Sequence, residues 1–135
     1  MAESTRAKGF SRLLVVIYAV FAIAATSRSI VQLATRFDEA PIAYLLSAVA
    51  ALVYIVATIA LALGERGRRV ATITIAFELA GVLIVGALSL LDPGLFPRAA
   101  VWSGFGIGYL FIPLVLPIVG LWWLRRSSTT QTQAP

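Results

Sequence analysis

The chain has 135 residues, of which 60% are hydrophobic and 13% charged, with a net charge of +5 and a mean hydropathy of +0.94. A soluble domain carries about 25% charged residues, so this composition is that of an integral membrane protein. There is no cysteine and no histidine, which excludes disulfides, thiolate or imidazole metal ligation and any histidine-based catalytic triad.

Four apolar stretches follow in chain order, roughly Leu13 to Thr35, Ile42 to Leu63, Val70 to Leu91 and Ala99 to Leu124. At about 1.5 Å of rise per residue each covers about 33 Å or more, enough for a hydrocarbon core of about 30 Å. The expected fold is therefore an all-α membrane protein, with four transmembrane helices making one domain over residues 1–126. Ahead of the first stretch, Arg6, Lys8 and Arg12 followed by an apolar run loosely resemble a cleavable signal. The apolar pattern continues through Ile30, Val31 and Leu33, which favours an uncleaved first helix. The connections, Arg36 to Pro41, Gly64 to Arg69 and Asp92 to Arg98, are short enough to force neighbouring helices antiparallel, giving an up-down-up-down bundle. Asp38 or Glu39 before Pro41 is expected to start the second helix, and the Asp92-Pro93-Gly94 turn to stop the third. The polar segment Ser127 to Pro135, residues 127–135, is low in complexity and is expected to be a disordered tail.

Charge sets the expected orientation. Arg6, Lys8, Arg12, Arg66, Arg68, Arg69, Arg125 and Arg126 fall on one side of such a bundle, and Arg28, Arg36 and Arg98 on the other. Eight against three places both termini in the cytoplasm, as in a multi-pass protein of the cell membrane. The basic residues flank apolar segments and form no patch with interleaved aromatics, so the expected partner is the lipid bilayer and not a nucleic acid. Tyr44, Phe96 and Trp102 are expected near the outer interface, and Phe10, Trp122 and Trp123 near the inner one.

Ionisable residues inside an apolar helix are costly and usually face the bundle interior. Glu78, about 4 Å to the cytoplasmic side of the third helix midpoint, and Arg28, about 6 Å to the outer side of the first helix midpoint, are the two that stand out. Their long side chains could meet near the bilayer centre. Arg28, Gln32 and Arg36 recur at i, i+4 and i+8, beside Ser29 and Thr35, as a cationic stripe. Thr74, Glu78, Gly81 and Val85 form one stripe on the third helix, and Ser47, Ala51, Tyr54 and Thr58 a matching one on the second. Tyr54 lies close to Glu78 in depth and is a candidate hydrogen-bond partner for it. Paired with Arg28, Glu78 is an ionised structural strut; paired only with Tyr54, it is a protonatable group.

The fourth stretch is the least regular, with Gly104, Gly106, Gly108, Pro113, Pro117 and Gly120. Read as one helix, it places Gly106, Tyr109, Pro113, Pro117 and Gly120 on a shared face. The prolines then free the carbonyls of Tyr109 and Pro113 near the membrane centre. Gly104 and Gly108 have the GxxxG spacing of a helix-packing contact. The Gly104 to Gly108 run follows no strand and is not a nucleotide loop, and no cofactor is expected.

The runs Phe77-Glu78-Leu79 and Gly81-Val82-Leu83, the Asp92-Pro93-Gly94-Leu95-Phe96 turn, and Trp102 through Phe105-Gly106-Ile107-Gly108-Tyr109 to Pro113-Leu114-Val115-Leu116-Pro117 resemble small four-helix integral membrane proteins of actinobacteria. That likeness implies location and architecture without a mechanism. The small multidrug resistance exporters share the size and helix count, but their glutamate is on the first helix and here it is on the third, so their activity is not carried over. Three classes remain. A transporter, channel or ligand-binding protein, working as a homo-oligomer, would use Glu78, Arg28, Gln32, Tyr54 and Tyr109 as ligand- or proton-binding groups. An accessory or scaffold subunit would bind a larger membrane partner through its glycine-rich faces. An intramembrane enzyme lacks a nucleophile and base together, so no catalytic residue is assigned and the protein is expected not to be an enzyme.

Overall fold

An apolar run surrounded by lipid or protein has no water to satisfy its peptide groups, and an α-helix satisfies them internally. A computed structural model describes the backbone at residues 2–95, 100 and 102–133, and the side chains at 9–94, 100 and 102–126. It is all-α, with no strand among the described residues. The long helices are α1 (Ala2–Thr35), α2 (Pro41–Ala62), α3 (Arg68–Leu91) and α4 (Ile112–Gln133). Three helical stretches, Gly9–Thr35, Pro41–Ala62 and Gly64–Leu91, are long and apolar enough to cross a membrane. A fourth crossing requires Ser103–Tyr109 and Ile112–Arg126 to be taken together, with a bend of 100° between them.

The helix ends depart from the sequence reading in ways that local chemistry explains. α1 begins at Ala2 instead of Leu13, because Ala2, Glu3, Arg6, Ala7 and Lys8 are good helix formers. Pro41 opens α2 at a position where its missing N–H costs nothing, and Ala40 provides the extended cap with no side-chain bond from Asp38 or Glu39. At the other end α4 runs to Gln133, through most of the segment expected to be disordered. No glycine or proline lies between Leu121 and Gln133 to stop it. Arg98 and Phe96, used above for orientation, lie outside the described residues, as do the side chains of Arg6 and Lys8.

α1 packs along α2, α2 against α3, and α3 against α4. The buried faces of α1 and α2 are rich in small residues, among them Ala22, Ala25 and Ser29 on α1 and Ala43, Ser47, Ala50 and Ala57 on α2. Such faces let helix backbones approach closely where burial from water gives no driving force. Large aliphatic side chains point outward instead: Leu13, Val16, Val20 and Ile23 on α1, Leu52 and Ile59 on α2, Ile73 and Ile84 on α3 are all exposed. Tyr18, Tyr44, Tyr54 and Glu78 are among the largest fully buried side chains. An apolar surface this extensive around a partly polar interior suits lipid and not water.

One end of the bundle gathers the start of α1, the start of α3 and the end of α4. The Phe10 ring lies 4.8 Å from that of Trp123 and 6.2 Å from that of Trp122. Arg126 stacks 5.3 Å from the Trp122 ring centroid. Arg68 donates from Nη1 to the Leu124 carbonyl at 2.6 Å and from Nη2 to Glu65 at 2.8 Å.

The expected continuous helix over 99–124 is not formed. Ser103–Phe105 and Ile107–Tyr109 are single 3₁₀ turns, and α4 starts only at Ile112. Three glycines at alternate positions each cost a helix about 1 kcal/mol, and two of them adopt left-handed backbone, Gly104 with φ 58° and Gly106 with φ 86°. A Cβ on Gly106 would also lie 2.7 Å from the Pro113 ring. Phe105, Leu110 and Phe111 take positive φ as well, near 60°, at a cost of about 1–2 kcal/mol each for a residue with a side chain. Pro113 is therefore at the start of α4, where it breaks no helical bond. Only Pro117 sits inside α4, so it deprives the Pro113 carbonyl of a helical donor, while the Tyr109 carbonyl lies outside any α-helix. Gly104 and Gly108 likewise share no helix face, so the expected GxxxG helix contact is not formed among the described residues.

The break is seated on α3 by two aromatic rings over two glycines. A Cβ on Gly81 would lie 2.5 Å from the Trp102 ring, and one on Gly86 would run into the Phe105 ring. Ser89 Oγ donates to the Gly86 carbonyl at 2.8 Å and accepts the Gly104 N–H at 2.8 Å. Further on, the Phe111 N–H reaches the Gly106 carbonyl at 3.0 Å, and the N–H groups of Leu114 and Val115 both reach the Phe111 carbonyl. These bonds satisfy backbone groups that the missing helix would otherwise leave unpaired.

Candidate intramembrane site

On α3 the buried residues Ala71, Ile75, Glu78, Val82 and Val85 recur at spacings of three and four, which turns Glu78 inward. On α1 the buried positions Leu14, Tyr18, Ala22 and Ala25 form the facing stripe. The Tyr18 hydroxyl donates to Glu78 Oε1 at 2.8 Å, and both side chains are 0% exposed. Glu78 Oε2 has no hydrogen-bond partner among the described residues.

Two expectations about Glu78 are corrected here. Arg28 makes no ion pair with it among the described residues; its Nη1 donates to the Tyr109 hydroxyl at 2.6 Å, with the guanidinium carbon 5.9 Å from the Tyr109 ring centroid. The reason is axial distance, since Tyr18 and Arg28 are separated by about 15 Å along α1 and Glu78 lies at the level of Tyr18. Tyr54 is not the carboxyl's partner either. It is 0% exposed and accepts a bond from Trp102 Nε1 at 3.1 Å, while its ring lies 6.2 Å from that of Tyr18. Trp102 accordingly leaves the interface expected for it: it is 3% exposed, folded over Gly81 near the middle of α3.

The rings connect the two ionisable groups without bringing them together. Phe21 lies 5.5 Å from Tyr54 and 5.9 Å from Tyr109, so Tyr18, Tyr54, Phe21 and Tyr109 form a chain of aromatic contacts from Glu78 to Arg28. Gln32 stays out of both clusters. Its Oε1, like Thr26 Oγ1 and Ser29 Oγ, is buried without a hydrogen-bond partner among the described residues. Thr58 turns its hydroxyl back to the Tyr54 carbonyl at 2.6 Å.

Sequence reasoning named Glu78, Arg28, Tyr54 and Tyr109 but missed Tyr18 and the inward role of Trp102. Tyr18 carried a signal: it is four residues from both Leu14 and Ala22, on the one face of α1 that packs inward. Trp102 carried none, because its place depends on the break that follows it. Matching against protein-family models, curated proteins and solved structures gave no match for this chain.

Proposed function

We propose that this is a non-enzymatic, multi-pass protein of the cell membrane that binds or transports a ligand, with Glu78 as its proton-binding group. The observation that carries the proposal is a carboxyl buried completely between α1 and α3, bonded on one oxygen by Tyr18 and by no described group on the other. A carboxylate in such surroundings requires a countercharge or a proton, and Arg28 is engaged elsewhere. The helices alternate in direction, with both termini in the cytoplasm. The charge asymmetry supports that orientation, and the gathering of Phe10, Arg68 and Leu124 at one end supports both termini sharing a side. Infrared difference spectroscopy of the protein in lipid tests the proton site. The expected result is a carboxylic acid band that titrates with pH, shifts in Tyr18→Phe and disappears in Glu78→Gln. A spectrum unchanged by Glu78→Gln would sink it and leave Glu78 as a strut.

An accessory role in a larger membrane complex has one observation in its favour. Ile107 and Leu110 are exposed, Leu110 by 84%, on irregular backbone that at membrane depth needs protein cover. Native mass spectrometry of gently extracted protein separates the readings: a homo-oligomer favours binding or transport, and a stoichiometric larger partner favours the accessory role.

A further inference from the structure

A second site lies away from Glu78, at the end of the bundle where α1 finishes. Arg28 is exposed about 10 Å short of the Thr35 end of α1. One turn away on the same side of α1, Ala24 and Val31 are apolar and exposed, and Leu110 next to Tyr109 is exposed as well. An unbalanced guanidinium on a lipid-facing surface is costly, and no described carboxylate pairs with it. Its position is nonetheless fixed. Tyr109 accepts from Nη1 at 2.6 Å, with the guanidinium carbon 5.9 Å from its ring centroid. The strained turn holds that tyrosine in place, with Gly106 and Leu110 on either side of it both in left-handed conformation. Tyr109 engages one of the five guanidinium N–H groups, and the fork geometry of the rest matches two oxygens of a phosphate.

We propose that Arg28, oriented by Tyr109, binds a phosphate group at the protein surface. The site is independent of the Glu78 reading and needs only that α1 lie in the membrane. The phosphate chemistry is shared by a phospholipid headgroup, whose acyl chains would lie along the exposed aliphatic side chains, and by a soluble phosphate entering from water.

The test is native mass spectrometry of the full chain supplied with phosphatidylglycerol, phosphatidylcholine or diacylglycerol, repeated with inorganic phosphate as competitor. Retention of both phospholipids but not of phosphate-free diacylglycerol is expected, falling about tenfold or more in Arg28→Gln. Tyr109→Phe should weaken retention several-fold, because the ring remains but the acceptor is lost. Inorganic phosphate failing to displace the lipid assigns the headgroup as the source, and displacement at millimolar concentration assigns a soluble phosphate. Equal retention of diacylglycerol, or undiminished phospholipid retention in Arg28→Gln, overturns the proposal. Should Arg28→Gln not fold, Arg28→Lys keeps the charge but loses the fork, and a retention equal to that of the unsubstituted protein in both Arg28→Lys and Tyr109→Phe overturns it equally.

Discussion

Glu78 and Arg28 are both ionisable, both set in apolar helices and both bonded to a tyrosine, yet their surroundings are opposite. Glu78 is sealed between α1 and α3, accepting from Tyr18, with its charge balanced by no described residue. Arg28 is exposed, donating to Tyr109 from Nη1, with no described carboxylate paired to it. The contrast teaches that a phenol serves either sign of group, because its oxygen accepts from a guanidinium and its proton goes to a carboxyl. It also separates what each group can bind. The enclosed carboxyl suits a proton, and the exposed guanidinium suits an anion that stays outside.

If the centre is the rigid part and the rim the open one, substitutions should sort by region. Gly81→Leu should have the largest effect, about 3 kcal/mol or loss of folding, because it drives a side chain into the Trp102 ring that covers α3. Denaturant unfolding in mild detergent measures it. Tyr18→Phe should cost about 2 kcal/mol, since it leaves a buried carboxyl without its donor. Trp102→Phe keeps the ring over Gly81 but removes the bond to Tyr54, at about 1 kcal/mol. At the rim, Tyr109→Phe should change stability by about 0.5 kcal/mol or less, because both partners there reach solvent or lipid. A rim substitution as damaging as Tyr18→Phe would erase the distinction.

The length and apolarity of the first three segments made α1, α2 and α3 legible, since little but a helix can cross lipid. The inward turn of Glu78 was legible because a charge in an apolar helix faces the interior, although its fully buried neighbours are Ile75 and Val82 and not the Thr74 and Gly81 of the expected stripe. Its partner was not. Two tyrosines, Tyr18 and Tyr54, lie within reach in depth, and the choice between them depends on helix tilt and on Trp102 taking the Tyr54 hydroxyl. The fourth segment misled because its apolar length argues for one helix. Gly104, Gly106 and Gly108 argue against it locally, and the docking of Trp102 and Phe105 onto Gly81 and Gly86 decides the matter through contacts distant in sequence.

The most direct test of separate centres is a pair of double-mutant cycles on unfolding free energy in detergent, one joining Glu78→Leu with Tyr18→Phe and the other Glu78→Leu with Arg28→Gln. Bonded groups couple, whereas distant ones add to within about 0.5 kcal/mol. The structure requires coupling of about 1 kcal/mol or more in the first cycle and additivity in the second. Additivity in the first with strong coupling in the second would mean that Glu78 is held by Arg28, and would contradict the assignment of each ionisable group to its own tyrosine.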